Sequence, residues 1–149
     1  MLQSDEHQEY RARVHETNIK YANDFSIWIG SKGLVEKTVD KHIGNVEFFV
    51  YEYLSDERLN KVNNATGSVD MFLGHWFIRK MSWSNESWIK TTASSLKKFY
   101  EFMLEMGYIE QREFDTLKLT IKKNLPVWLE RVRCYRDPDI DDMADNYGY

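Results

Sequence analysis

The side chains that could perform chemistry are few and are dispersed along the chain. The four histidines, His7, His15, His42 and His75, include no pair three or four residues apart, which is the spacing of helical zinc ligands. None of them lies in a motif that marks an activated nucleophile. The seven glycines are scattered, so no glycine-rich loop is placed to bind a phosphate group. The sequence therefore predicts no enzyme, no cofactor or metal site and no small-molecule substrate, and we expect His42 and His75 at the surface or its boundary.

One acidic stretch has a partial metal-binding pattern. Asp137, Asp139 and Asp141 have the spacing of the first three ligands of a calcium loop. Such a loop needs a glycine at its sixth position and a bidentate glutamate at its twelfth, where this chain has Asp142 and Gly148. We therefore interpret the stretch as an ordinary acidic tail.

The charges are segregated along the chain. Residues 136–149 contain five aspartates and one arginine, so this segment alone accounts for the net charge of −4. Two other segments, 79–100 and 118–136, are rich in lysine and arginine. An acidic protein can therefore present a local basic face, although solvated helix surfaces would produce the same pattern. The acidic segment lacks periodicity, which predicts a disordered tail.

Apolar residues recur every three or four positions in most of the chain, which is the pattern of helices packed on a core. The predicted helices cover about 14–32, 35–54, 68–81, 84–107 and 110–125. Gly33 and Gly107 are expected to end the first and fourth helices. Pro126 is expected either to break the fifth helix or to start a short extra turn through Val127, Trp128, Leu129 and Val132. Ser68 or Thr66 is expected to cap the third helix, and Ser84 to open the fourth. The predicted fold is all-α, a compact bundle of four to five helices forming one domain over residues 1–135.

The five tryptophans could either pack in the core or stack on unpaired bases. Most of them lie on or beside the apolar stripes, which favours core packing. Trp83, in the turn before the fourth helix, is the expected exception.

The remaining composition predicts a cytoplasmic protein. A single cysteine, Cys134, excludes an internal disulfide bond and fits a reducing compartment. The acidic residues 1–10 do not have the basic start and apolar run of a signal peptide. No apolar run approaches the length of about 18 residues that a membrane span needs, so no membrane partner is expected.

Two stretches together resemble the core-binding (SAM-like) N-terminal domain of tyrosine recombinases of the phage integrase type. The first stretch, residues 33–54, is GLVEKTVDKHIGNVEFFVYEYL, and the second, residues 87–109, is SWIKTTASSLKKFYEFMLEMGYI. The residues that match the family pattern are Gly33, Leu34, Thr38, Val46, Phe49 and Leu54 in the first, and Thr91, Leu96, Lys97, Lys98, Phe99, Tyr100, Phe102, Gly107 and Ile109 in the second. The likeness extends over about residues 20–125.

The chain also departs from the family. Val35 occupies the position where members usually have a Ser or Thr cap, and Glu110-Gln111 follows Ile109 where many members have Asn-Pro. The catalytic arginines, the histidine motifs and the nucleophilic tyrosine of the family have no counterpart here, and we do not interpret Tyr149 as a nucleophile. The resemblance therefore implies a DNA-binding module without strand cleavage.

In the family, this domain clamps one side of duplex DNA with its second and fourth helices. The resemblance therefore implies a DNA-binding role in a mobile element, in recombination or in integration. The DNA-contacting residues that it implies are Lys37, Thr38, Lys41, His42 and Asn45 on the second helix, and Ser87, Lys90, Thr91, Ser94, Lys97 and Lys98 on the fourth. The acidic residues 136–149 could compete with DNA for the basic face. The alternatives are a helical interaction module that docks a recombinase or another protein, and a degenerate fragment that keeps the fold without activity. Lysines on one continuous face would favour DNA, and an exposed apolar patch would favour a protein partner.

Overall fold

Helices form nearly all of the regular structure in this computed structural model, which describes residues 2–57, 59–81 and 84–136. We name five helices: α1 (Leu2–Gly30), α2 (Glu36–Phe48, continued as a π-helical segment Phe49–Glu57), α3 (Val69–Met71, the π-helical Phe72–Trp76 and Phe77–Lys80), α4 (Glu86–Glu105) and α5 (Gln111–Arg136). Two short 3-10 turns, Val62–Asn64 and Thr66–Ser68, connect α2 to α3. No strand occurs among the described residues, so the predicted all-α class is confirmed.

The glycines expected to end helices do so. Gly33 and Gly107 both have positive φ angles, 78° and 80°, in the left-handed region that glycine adopts at low cost. After α4, the backbone N–H of Gly107 donates to Leu104 at 3.0 Å and that of Tyr108 donates to Met103 at 2.8 Å. This pair of bonds is a Schellman motif, which satisfies carbonyl groups that the helix itself leaves unpaired.

The expected N-terminal caps are partly wrong. Asn85, not Ser84, caps α4, because its side-chain oxygen accepts a hydrogen bond of 2.9 Å from the backbone N–H of Trp88. Ser84 is buried one residue earlier. Ser68 precedes α3 without a side-chain capping bond, and Thr66 belongs to a 3-10 turn.

Helix α1 begins far ahead of the expected residue 14, at Leu2. Polar contacts with the end of α2 stabilise the additional turns. The Arg11 guanidinium donates to the Ser55 carbonyl at 2.9 Å, and the His15 ring lies 2.9 Å from the Ser55 hydroxyl. These contacts cross 44 and 40 positions of sequence, which explains why local periodicity did not predict them.

Helix α5 continues through Pro126 to Arg136, so the predicted break is wrong. Proline lacks an N–H and crowds the preceding turn, which costs a helix about 3 kcal/mol or more. Beyond Pro126, however, Trp128 and Val132 are completely or almost completely buried. The free energy of burying these side chains offsets the cost of the proline.

Replacing Pro126 by alanine should therefore raise the free energy of unfolding, by about 1–3 kcal/mol, because alanine restores a backbone donor in an exposed helix position. Urea denaturation followed by circular dichroism would measure this change. Val127→Ala, at the neighbouring exposed position, is the control and should change stability much less. Unchanged or lower stability in Pro126→Ala would contradict this account of α5.

One core cluster contains buried residues from all five helices. The Phe25 ring of α1 packs edge-on against Phe99 and Phe102 of α4, with ring centroids 5.4 and 6.0 Å apart. Trp76 and Trp128 are buried, as expected. Trp88 is 41% exposed, and Trp83 lies outside the described residues.

Helices α3 and α5 make an unusually close contact at Gly74. A Cβ atom added to Gly74 would lie 2.6 Å from the Trp128 indole. The Trp128 indole N–H donates to the Asp70 carboxylate at 2.8 Å, and the Arg131 guanidinium donates to the Gly74 carbonyl at 2.7 Å. Only glycine therefore fits at position 74 without displacing the tryptophan.

The connection between α2 and α3 is attached to α1 through Asn18, which is 1% exposed. The Asn18 amide donates to the Asn60 carbonyl at 2.8 Å and accepts from the backbone N–H of Val62 at 2.8 Å. The Val62 carbonyl in turn accepts a bond of 2.9 Å from the buried Tyr100 hydroxyl of α4. A polar stretch that resembles a simple loop in the sequence is thus bonded to two helices.

Candidate nucleic-acid interface

Helices α2 and α4, which contain all the predicted DNA contacts, pack directly against each other. Their polar contact centres on Ser95, whose hydroxyl oxygen lies 2.8 Å from Nδ1 of His42 and accepts a bond of 3.0 Å from the Asn45 amide. Gly44 and Phe48 share a groove with Trp88 and Thr92, at the start of α4, whereas Lys98, further along α4, lies close to His42. The two helices are therefore antiparallel.

Two of the predicted DNA contacts are buried in this helix pair. His42 and Asn45 are each 7% exposed, and the polar contacts described above direct both side chains to Ser95. His42, expected at the surface or its boundary, is therefore buried between the two helices. In this arrangement both residues fix the packing of α2 on α4 rather than contacting solvent. Ser95, which holds them, was not among the predicted residues, because its importance depends on the tertiary contact.

The other predicted residues are exposed or half-buried on the two helices. At 3.6 residues per turn, positions 87, 90, 94 and 97 of α4 follow one surface stripe, and positions 37 and 41 of α2 follow another. The exposed members are Lys37, Lys41, Ser87, Lys90, Ser94 and Lys97, and the half-buried members are Thr38, Thr91 and Lys98. We call these nine residues the α2–α4 face. The Thr91 hydroxyl donates within α4 to the Ser87 carbonyl at 2.8 Å, so this donor is already occupied.

The lysines of the two helices approach each other across the helix pair. The pKa of His42 is lowered by burial and, secondly, by the positive charges of Lys98 and Lys41. His42 lies on the line of contact between α2 and α4, which we call the seam. It is thus close to the positive charge of one lysine from each helix. Lys98 also forms an exposed ion pair of 3.8 Å with Glu101, and such a pair contributes at most about 1 kcal/mol. Lys41 and Lys98 therefore approach each other across the helix pair, with the carboxylate of Glu101 beside Lys98 and Asp40 beside Lys41 in the groove lining.

We expect the lowered pKa of His42 to make stability depend on pH. A histidine whose pKa is lower in the folded chain than in the unfolded chain favours the unfolded chain when the pH is low enough to protonate it there. Its contribution to the free energy of unfolding is therefore complete above the unfolded pKa, about 6.5, and is lost as the pH falls below that value. The free energy of unfolding should fall between about pH 7 and pH 5, and it should fall less in His42→Gln. Urea denaturation at both pH values measures the difference.

His75 is the matched control for this experiment, because burial and the charge of Arg131 also lower its pKa. His75→Gln should remove a separate part of the pH dependence. If His42→Gln and the unaltered chain lost the same stability on acidification, the assignment of the effect to the seam between α2 and α4 would be wrong.

A groove of about 500 Å³ lies beside the seam, open to solvent. Its apolar wall contains Phe48, Phe77 and Trp88, and Lys37 and Lys41 stand at its α2 side. We call it the α2–α4 groove, and its lining residues are Lys37, Asp40, Lys41, Gly44, Asn45, Phe48, Phe77, Trp88 and Thr92. The groove was not predicted from the sequence. Its one local signal is Gly44, a glycine in the interior of α2 with open space beside its Cα atom.

The second basic segment of the sequence is partly used within the fold. Arg133 at the end of α5 bonds to Glu86 at 2.6 Å and to Glu130 at 2.8 Å. Arg131 donates to the Gly74 carbonyl, as described above. These guanidinium groups hold α5 against α3 and α4, whereas Lys122 and Lys123 are exposed on α5.

Within the described part of the chain, no three His, Cys, Asp or Glu side chains come together in a way that could hold a metal ion. Among the described residues, none of the helices combines the length and the apolar composition that a membrane span requires. The partial calcium pattern and the rest of residues 137–149 lie outside the described residues. Comparison of the chain with protein-family models, with curated proteins and with solved structures finds no match. Functional inference therefore depends on the chemistry of the α2–α4 face and groove.

Proposed function

We propose that this chain binds duplex DNA through the α2–α4 face, as a module without strand-cleaving activity of its own. The main supporting observation is that two adjacent antiparallel helices both carry accessible lysines, and that Lys41 of α2 and Lys98 of α4 are close enough to His42 to lower its pKa together. This is the arrangement expected of a surface that contacts the phosphates of one side of a duplex. The resemblance to the core-binding domain of tyrosine recombinases points to the same two helices.

The residue types favour contacts with phosphate rather than with base edges. Lysine is a point charge that neutralises phosphate, and the exposed hydroxyls of Ser87 and Ser94 can donate to phosphate oxygens. The aromatic residues nearest the face line the groove and do not form an exposed stacking stripe. We therefore expect weak, largely sequence-independent affinity, on the order of micromolar at low salt, in a setting of recombination or of a mobile element.

Fluorescence anisotropy with a labelled duplex of about 30 base pairs, titrated at several salt concentrations, tests the proposal. We expect saturable binding whose logarithmic affinity falls linearly with the logarithm of salt concentration, because bound lysines release counterions from the DNA. A folded chain, verified by circular dichroism, that fails to bind at low salt would refute DNA binding by this chain alone.

The α2–α4 groove favours a second candidate function, docking of a protein partner such as a recombinase. Trp88 exposes 41% of its surface at a groove with two further aromatic residues, and aromatic side chains are enriched at binding hot spots. Different substitutions should distinguish DNA binding from docking of a protein partner. Trp88→Ala should reduce docking of a partner, and substitution of lysines remote from the groove, such as Lys90 and Lys97, should reduce only DNA binding.

A further inference from the structure

The last turn of α5 lies beside the first turn of α4, next to the α2–α4 groove. The Arg133 guanidinium and the Glu86 carboxylate join the two helix ends at 2.6 Å. Trp88, which forms part of the apolar wall of the groove, follows Glu86 by two residues. Helix α5 ends at Arg136, and the acidic residues 137–149 follow it in the sequence. The acidic segment is therefore attached at a helix end that contacts the first turn of α4, and it must pass around that turn to reach Trp88, because side chains two residues apart on a helix face nearly opposite directions.

The acidic segment is long enough to follow the groove. Its thirteen residues can span about 40 Å when extended. The α2 side of the groove extends from Phe48, near Trp88, to Lys37, and eleven helical steps cover about 16 Å. A segment that enters beside Trp88 can therefore reach both lysines on the α2 side.

The composition of the segment complements the groove. Five aspartates in residues 137–149 alternate with apolar side chains that include Ile140, Met143 and Tyr147. The groove combines an aromatic wall with two lysines along one side. Apolar side chains of the segment can cover aromatic surface while its carboxylates lie near the lysine ammonium groups, which is the usual basis of electrostatic complementarity.

A buried polar atom in the groove supports an occupant with hydrogen-bonding groups. Thr92 lines the groove and is 1% exposed, and its hydroxyl oxygen has no hydrogen-bond partner among the described residues. A buried hydroxyl without a partner is uncommon in folded proteins. The backbone of a peptide segment could supply a donor or acceptor if docking shifts the threonine toward the groove.

We propose that residues 137–149 dock in the α2–α4 groove of their own chain, with apolar side chains against Phe48, Phe77 and Trp88 and aspartates beside Lys37 and Lys41. Docking then covers two lysines of the α2–α4 face and competes with DNA. Competition between the acidic segment and DNA rests on the proposed DNA binding. Docking of the segment in the groove does not rest on it.

Paramagnetic relaxation in the full chain, without DNA and at low salt, tests the docking directly. A nitroxide on Ala144→Cys, in a Cys134→Ser background, should broaden the NMR signals of the Trp88 indole N–H and the Gly44 amide. The same sample after chemical reduction of the nitroxide is the control, and all its signals should be sharp. Sharp Trp88 and Gly44 signals in the spin-labelled chain would overturn the proposal.

Two substitutions at Gly44 provide matched controls, because a side chain added there meets open space at the groove. Gly44→Leu should fill the groove and remove the broadening at Trp88, whereas Gly44→Ala should retain it. Unchanged broadening in Gly44→Leu would overturn the proposal. Broadening seen only in mixtures of spin-labelled and isotope-labelled chains would place a second copy in the groove and would also overturn it.

Discussion

Replacing Lys41 and Lys98 together by glutamate should weaken duplex binding by roughly tenfold to a hundredfold at about 50 mM salt. Each substitution removes one phosphate contact and adds a charge that repels the DNA. The two residues belong to different helices, yet both act on the pKa of His42, so the pair should disrupt the centre of the α2–α4 face. The slope of logarithmic affinity against logarithmic salt concentration should also decrease by about 2, one for each lost contact. Anisotropy titrations measure both quantities.

The control for this experiment is Lys122→Glu together with Lys123→Glu. These exposed lysines of α5 give the same change in net charge at a different place. If both double variants lost affinity equally, the attraction would depend on total charge, and the assignment to the α2–α4 face would be wrong. Thermal denaturation of each variant verifies that the loss does not come from unfolding.

Replacing Trp128 by alanine should lower the free energy of unfolding by about 3–5 kcal/mol, the typical cost of removing a large buried aromatic side chain. The indole is completely buried and donates a hydrogen bond to Asp70, so the substitution leaves both a cavity and a carboxylate without this donor. Urea denaturation measures the loss. Trp128→Phe keeps most of the ring but not the donor, and should cost clearly less. Near-normal stability of Trp128→Ala would show that α5 beyond Pro126 contributes little to the fold.

Gly74→Ala tests the same contact from the opposite helix. Its added Cβ would lie 2.6 Å from the Trp128 indole, so the helices must separate or the indole must move. Overpacking of this kind typically costs about 1–3 kcal/mol. The cost should shrink in the Trp128→Ala background, because the atoms that clash are absent there. Additive losses in this double-mutant cycle would contradict the proposed contact.

The helical class and the glycine helix ends could be predicted from the sequence because they depend on local properties. Gly33 and Gly107 adopt a backbone conformation that other residues avoid, so their positions alone indicate where helices end. The prediction at Pro126 was wrong because the helix there depends on tertiary packing and not on local properties. The local cost of the proline is real, but Trp128 and Val132 pack in the core two and six residues later. Periodicity indicates that such residues are apolar, but not how strongly their burial stabilises the helix.

The exposed lysines of the candidate site could be predicted from the sequence, but its buried polar residues and its groove could not. The spacing of Lys90, Ser94 and Lys97 predicts an exposed stripe, and each of these residues is exposed. His42 and Asn45 have equally polar side chains, and only the approach of α4 reveals that they turn inward to Ser95. The groove depends on how far apart two helices lie, a quantity that no one-dimensional pattern contains.

The hydrogen bonds of Asn18 have a consequence for the cooperativity of unfolding. The Val62 amide proton is bonded to a side chain of α1, and the Val62 carbonyl is bonded to a tyrosine of α4. Separation of α1 from the bundle would leave that buried amide without a partner, at a cost of about 1–3 kcal/mol. The connection between α2 and α3 therefore belongs to the same cooperative unit as the helices it joins, and its Val62 amide should exchange with solvent as slowly as the amides of the core.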